Sequence, residues 1–274
     1  MKLLITGASG FIGSSLYKEL SETFSVTGIM RSQSQQSNDV CMDLTIPYQD
    51  EFREFQFDVI IHCASVLADA SNIHDMQLFQ DNIKISENLI KIAKDTKPRL
   101  LINLSSIGVY PNISGEYTEN SIIKPSENSE GLYGLSKFCS EELFNIFLKN
   151  SKTKVVNIRL GQTLGKGMRK DRIYEIMKEE LKTDNRITVF GSGERVSSFL
   201  ELDELLQYMK QIIDKAQMEG TYNLGLKNMK YIELAENIIE KYGDKTSTII
   251  FRDQGINAQT EINSNKIKKH LKNE

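Results

Sequence analysis

Tyr133 and Lys137 stand four residues apart in Tyr133-Gly134-Leu135-Ser136-Lys137, inside a helical pattern, and Ser106 of the pair Ser105-Ser106 lies twenty-seven residues before the tyrosine, at the end of an apolar run. On a helix, positions i and i+4 share a face, so this spacing sets an ammonium beside a phenol and favours phenolate. A free tyrosine ionises near pH ~10, and bringing it to neutrality takes about 4 kcal/mol of differential stabilisation. The phenol and the ammonium together suit proton-transfer chemistry, in which the tyrosine exchanges a proton and the lysine tunes it. A tyrosine and a lysine at this spacing also suit a solvated helix face, so the weight falls on the elements around them.

The amino terminus supplies a matching half. Lys2-Leu3-Leu4-Ile5-Thr6 breaks into Gly7-Ala8-Ser9-Gly10-Phe11-Ile12-Gly13, after which Ile12, Leu16 and Leu20 repeat at helical spacing. This reads as strand, glycine turn and helix, with Gly7 in the turn, Gly10 open to a pyrophosphate and Gly13 packed on the strand. Ser9, Phe11 and Ile12 lie at the helix amino terminus, which faces the phosphates of a dinucleotide. The spacing is Gly-x-x-Gly-x-x-Gly rather than Gly-x-Gly-x-x-Gly.

Apolar runs at Leu3 to Thr6, Val26 to Met30, Val59 to Cys63, Leu100 to Leu104 and Val155 to Ile158 alternate with helical patterns near 11–22, 77–95 and 132–149. Such alternation predicts an α/β chain with a parallel sheet covered on both faces and ligands beyond the carboxyl ends of the strands. Ser32 to Asn38 reads as an exposed loop, and Tyr110 to Glu130 as a longer loop over the site. After residue 160 a charged helix over 170–182, a strand at Ile187 to Phe190 and helices over 203–217 and 231–242 predict a smaller lobe. A net charge of -3 gives no basic field for nucleic acid, so a small-molecule partner is expected. Cys41, Cys63 and Cys139 lack metal-ligand spacing and read as buried, reduced thiols. His62, His74 and His270 do not cluster, and no metal site is expected. No apolar run approaches membrane length or forms a signal region, so the expectation is a cytoplasmic protein with no membrane partner.

With both halves in view the chain resembles the extended short-chain dehydrogenase/reductase family, in its NAD(P)-dependent sugar-nucleotide epimerase, dehydratase and reductase branch, over nearly its whole length. The matching stretches are the glycine turn, Asp43-Leu44, His62-Cys63-Ala64-Ser65, Asn82, Leu104 to Tyr110, the Tyr133/Lys137 pair, Arg159 to Gly165, Phe199 to Glu204 and Gly220 to Gly225. The resemblance implies a Rossmann-type doubly wound sheet over 1–160 to which about 196–218 returns, and a smaller, discontinuous substrate lobe over 161–274. It also implies a homodimer through the helices near 77–95 and 132–149, and a carboxyl-terminal helix cut short after Leu271.

The same resemblance implies that the second strand ends over the adenosine ribose. There a carboxylate selects a free 2'-hydroxyl and an arginine accommodates a 2'-phosphate. Arg31 stands where the acid is missing, which favours NADP over NAD. Asp43, followed by Leu44, resembles the residue that accepts from the adenine amino group, with capping of the turn toward Thr45 as its other reading. Ala64 and Ser65 lie near the pyrophosphate and nicotinamide ribose, Lys137 holds that ribose, and Asn82 reads as structural.

Ser106 lies four residues before Tyr110, as the family's catalytic serine does, whereas Ser105 points to the opposite face of the strand. The catalytic set is then Ser106, Tyr133 and Lys137. Dehydratases of the family need carboxylates, and 3,5-epimerising reductases a cysteine, at positions held here by Ile107 and Gly108. Hydride chemistry alone survives: reduction of a 4-keto-sugar nucleotide with NADPH, or 4-epimerisation with tightly held NAD. Gln162 faces the nucleotide sugar where the family usually has asparagine, and Leu160 replaces its proline. Arg195 is a candidate diphosphate clamp, two residues upstream of the usual arginine, where Ser197 stands. A non-catalytic NADP-binding regulator is the reading from another class, against which the retained Tyr133/Lys137 pair argues, and an enzyme on a non-nucleotide carbonyl is a third.

Overall fold

The computed structural model describes residues 1–32, 38–215 and 217–272. In chain order its elements begin β1 (Lys2–Thr6), α1 (Phe11–Ser21), β2 (Ser25–Met30), β3 (Val40–Cys41), β4 (Val59–His62), α2 (Met76–Thr96), β5 (Leu100–Ser106), β6 (Gly115–Tyr117), α3 (Gly131–Leu148) and β7 (Lys154–Leu160). They continue with β8 (Gln162–Leu164), α4 (Ile173–Asp184), β9 (Arg186–Phe190), β10 (Val196–Glu201), α5 (Leu202–Asp214) and β11 (Gly220–Leu224). The last are β12 (Lys227–Lys230), α6 (Tyr231–Tyr242), β13 (Thr248–Arg252), β14 (Thr260–Ile262) and α7 (Asn265–Lys272).

The near-continuous apolar runs become a seven-stranded sheet in the order β11-β7-β5-β4-β1-β2-β3, with every pairing parallel. Strands buried on both faces need helices on both faces. Leu16 and Leu20 of α1, Leu205 and Met209 of α5 and Ile267 of α7 cover one, and Ile85 and Leu89 of α2 with Phe144 and Leu148 of α3 cover the other. The chain runs outward from β1 through β2 to β3, then crosses to β4 and continues the other way. A crevice therefore opens between the carboxyl ends of β1 and β4. A separate core gathers Leu164, Met177, Leu181, Ile187, Val189, Phe199, Leu234 and Ile238.

The expected elements form within a few residues of their predicted positions, and the differences have local causes. The helix expected over 170–182 starts at Ile173, because Arg172 is extended as its N-cap. The helix expected over 203–217 is Leu202–Asp214, closed at its start by a reciprocal cap between Glu201 and Glu204. The loop expected over Tyr110 to Glu130 contains β6, which pairs with β14. Of the loop expected over Ser32 to Asn38, residues 33–37 lie outside the described residues. Cys41 is exposed rather than buried, since it sits on the two-residue edge strand β3, and Cys63 and Cys139 are half-buried; all three are free. Among the described residues no helix is long and apolar enough to cross a membrane.

Candidate active site

The carboxyl ends of the central strands open into a cleft of about 900 Å³, and every binding and catalytic residue singled out from the sequence lines it. At its floor the β1–α1 turn is held by Gly10 N–H donating to Gly7 O at 2.9 Å. Gly10 caps α1 with no side-chain hydrogen bond, so the first-turn N–H groups beside Ser9, Phe11 and Ile12 are left for an anion. A Cβ on Gly13 would lie 2.1 Å from Gly7 O, so only glycine lets the helix sit this close to the turn. This glycine-lined, uncapped helix start fits a dinucleotide pyrophosphate.

Arg31, exposed at the end of β2, and Asp43 line the same wall. The Asp43 carboxylate accepts from Thr45 N–H at 2.9 Å and Thr45 Oγ1 at 2.8 Å, so the turn-capping contact exists. These bonds, with the charge of Arg31, hold it below the usual carboxylate range. Leu44 is buried beside it. Ala64 N–H donates to Thr6 Oγ1 at 3.2 Å, and Ser65 Oγ donates to Asn82 Oδ1 at 3.1 Å. Asn82 also accepts from Val66 N–H at 2.8 Å and donates to Ser136 Oγ at 3.1 Å, joining the segment after β4 to α3 at the residue before Lys137.

Strand β5 delivers the serine pair. Ser106 Oγ accepts from Gly108 N–H at 3.0 Å, which leaves its own proton free to donate. Ser105 serves the core: it donates to Glu141, which is paired to Arg159 at 2.7 Å, and Arg159 in turn donates to the Tyr110 hydroxyl at 2.8 Å. Helix α3 reaches the serine turn through Gly134, where a Cβ would lie 2.1 Å from Gly108 O. That close approach brings Tyr133 to the cleft wall that Ser106 lines.

Burial pushes the Tyr133 phenol up to about 12, assisted by the Glu130 carboxylate and opposed by Arg172, by a hydrogen bond with Ser65 and by Arg169. Lys137 is buried one turn deeper, and burial pushes it down to about 8 against the pull of Cys63 and Glu141. Lys137, expected to favour phenolate, is not among the charges acting on the phenol, being buried toward Cys63 and Glu141; the cations that act there are two arginines that the sequence reading did not single out. Arg172 pairs with Glu130 at 2.6 Å, and Arg169 with Asp69 at 3.4 Å. Arg172 fell within the charged helix expected over 170–182 and Arg169 just before it, and charge on such a helix reads as a solvated face.

Gln162 Nε2 donates to Ser197 Oγ at 2.9 Å, and the Arg195 guanidinium stacks 4.9 Å from the Tyr231 ring centre. Gln162, Ser197, Arg195 and Tyr231 form one polar cluster lining the same cleft as Tyr133.

This parallel doubly wound sheet and its nucleotide-type cleft are those of the extended short-chain dehydrogenases. The profile of the NAD dependent epimerase/dehydratase family matches residues 3–225, and the chain belongs to that family of enzymes. It is 23% identical to a Bacillus subtilis (strain 168) protein, the uncharacterized UDP-glucose epimerase YtcB, over 93% of this chain and 86% of that one. It is 21% identical to dTDP-4-dehydro-6-deoxy-D-allose reductase of Streptomyces bikiniensis, over 88% of this chain and 81% of that one. Among solved structures, UDP-glucuronic acid 4-epimerase from Bacillus cereus in complex with NAD shares the fold with a TM-score of 0.84. The two are 22% identical, and the match covers 98% of this chain and 92% of that one.

Proposed function

We propose that the protein transfers hydride at a sugar carbon of a nucleotide-activated sugar, and that it acts as a 4-keto-sugar nucleotide reductase using NADPH. The observation that carries this reading is a cleft lined by Ser106, Tyr133 and Lys137, with Ile107 and Gly108 at the two positions after the serine where the family's dehydratases carry carboxylates and its 3,5-epimerising reductases a cysteine. Gly7 to Gly13 hold the pyrophosphate, Ala64 and Ser65 the nicotinamide side, and Lys137 its ribose. Arg31 meets the 2'-phosphate, because a planar guanidinium matches phosphate bidentately. When bound, the nicotinamide supplies the hydride and, once oxidised, a positive charge. Ser106 donates to the substrate oxygen, Tyr133 delivers the proton to it, and Gln162 and Arg195 orient the nucleotide sugar.

The NAD held by the Bacillus cereus structure supports a second reading, 4-epimerisation, in which the same three residues first remove and then return a proton. Identifying the nucleotide released from denatured, freshly purified protein, then measuring NADPH and NADH affinities of the emptied protein, separates the two. The reductase reading expects empty protein with at least tenfold preference for NADPH. Retained NAD contradicts it and favours the epimerase.

A further inference from the structure

Arg172 is the N-cap of α4, and its guanidinium joins three segments at the mouth of the cleft. Nη1 donates to Glu130 Oε1 at 2.6 Å, and Nη2 lies 3.4 Å from the carbonyl of Ala68, in the segment after β4. Glu130 is the N-cap of α3, three residues before Tyr133 and so on the same face of the first turn. A carboxylate there opposes phenolate, and the paired arginine offsets part of that effect. The pair is only about one-third exposed, 32% for Arg172 and 28% for Glu130, so solvent screens it partially.

We infer that Arg172 is a positioning residue for Tyr133: through its ion pair with Glu130 it offsets the carboxylate that acts on the phenol, and so ties proton exchange to the seating of residues 165–172 across the cleft. This rests on Tyr133 being the proton-exchanging group. The groups along the cleft that act on the phenol are Glu130 at the start of its own helix, Arg172 and Arg169 from the 165–172 segment and Ser65 from the segment after β4. Arg169 is itself balanced by Asp69 and Asp171. One turn deeper, Lys137 meets Cys63, His62 and Glu141. Of these, Glu130 is the negative charge that acts on the phenol, and Arg172 is its partner.

Ring-labelled tyrosine ¹³C NMR of NAD-saturated protein reads the phenol without turnover, its signal assigned by loss in Tyr133→Phe. Glu130→Gln leaves Arg172 unbalanced and is expected to lower the pH of Tyr133 ionisation by about one unit. Arg172→Gln alone is expected to raise it, the double variant to return it to the wild-type value, and Arg172→Lys to hold it there. An ionisation that moves with neither Glu130→Gln nor Arg172→Gln overturns the inference. Glu130→Gln is nearly isosteric and keeps the test sharp if Arg172→Gln fails to fold. Full turnover in Tyr133→Phe would instead remove the functional reading beneath it, a result the NMR titration does not share.

Discussion

Lys137 illustrates how the site's chemistry opposes the fold's stability. Its ammonium is buried, and burial brings it down to about 8 from an ordinary value of 10.5. Between those two pH values the unfolded chain binds more protons at this position than the folded one, so stability rises with pH across that window and the full cost is present below pH 8. Lys137→Met keeps the length of the side chain and removes the charge. It is expected to be more stable than wild type at pH 7 by on the order of 2 kcal/mol, with the gap closing toward pH 10. Urea unfolding of both proteins across that range checks this, and a gap that widens with pH would contradict it. The candidate pair Tyr133 and Lys137 stands out from its spacing, and Ser106 from the resemblance to the family's Ser-x-x-x-Tyr pattern. The charges around Tyr133 do not, because Arg169 and Arg172 are brought to it by tertiary packing from more than thirty residues away.

At the scale of elements, the approach of α3 to the turn after β5 decides whether Tyr133 and Ser106 serve one substrate. Gly134 permits that approach, and a methyl group there would overlap a backbone carbonyl that has no room to yield. Gly134→Ala is expected to displace the start of α3 and cut turnover more than tenfold, while α2 and the rest of α3 keep their packing and circular dichroism is unchanged. Unchanged turnover would show that the close contact is dispensable. The long elements were readable because their apolar periods are long: α2 runs for 21 residues and α3 for 18. The short strands β6, β8, β12 and β14, of three or four residues, were not, since such segments show no resolvable period and form only when a distant partner pairs with them. Strand β10 was hidden for another reason: its buried Ser197 and Ser198 break the apolar run that marks a strand.

Across the whole molecule, the sheet's reversal between β1 and β4 opens a cleft lined both by the glycine turn after β1 and by the polar cluster of Gln162, Ser197, Arg195 and Tyr231. The first is legible from Gly7 to Gly13. Of the second, Gln162 and Arg195 stand out in the sequence, but their meeting with Ser197 and Tyr231 does not, since these residues come from β8, from β10 and the residue before it, and from α6, and meet only in three dimensions. Glu141, Arg159, Ser105 and Tyr110 tie α3, β7 and β5 together beneath this arrangement, so the chemistry stands on a rigid buried network. In the function proposed above, this assembly moves hydride between a nicotinamide and a sugar carbon, with Tyr133 handling the proton.

The most direct test supplies NADPH deuterated at nicotinamide C4 and a nucleotide-linked 4-keto sugar, and follows deuterium at sugar C4 by mass spectrometry and NMR for wild type and Tyr133→Phe. Deuterium at C4 with wild type, and at less than one-tenth the rate with Tyr133→Phe, is the predicted result. Equal transfer by both proteins would contradict the assignment of Tyr133, and no transfer by wild type, from either NADPH or NADH, would contradict the reductase reading.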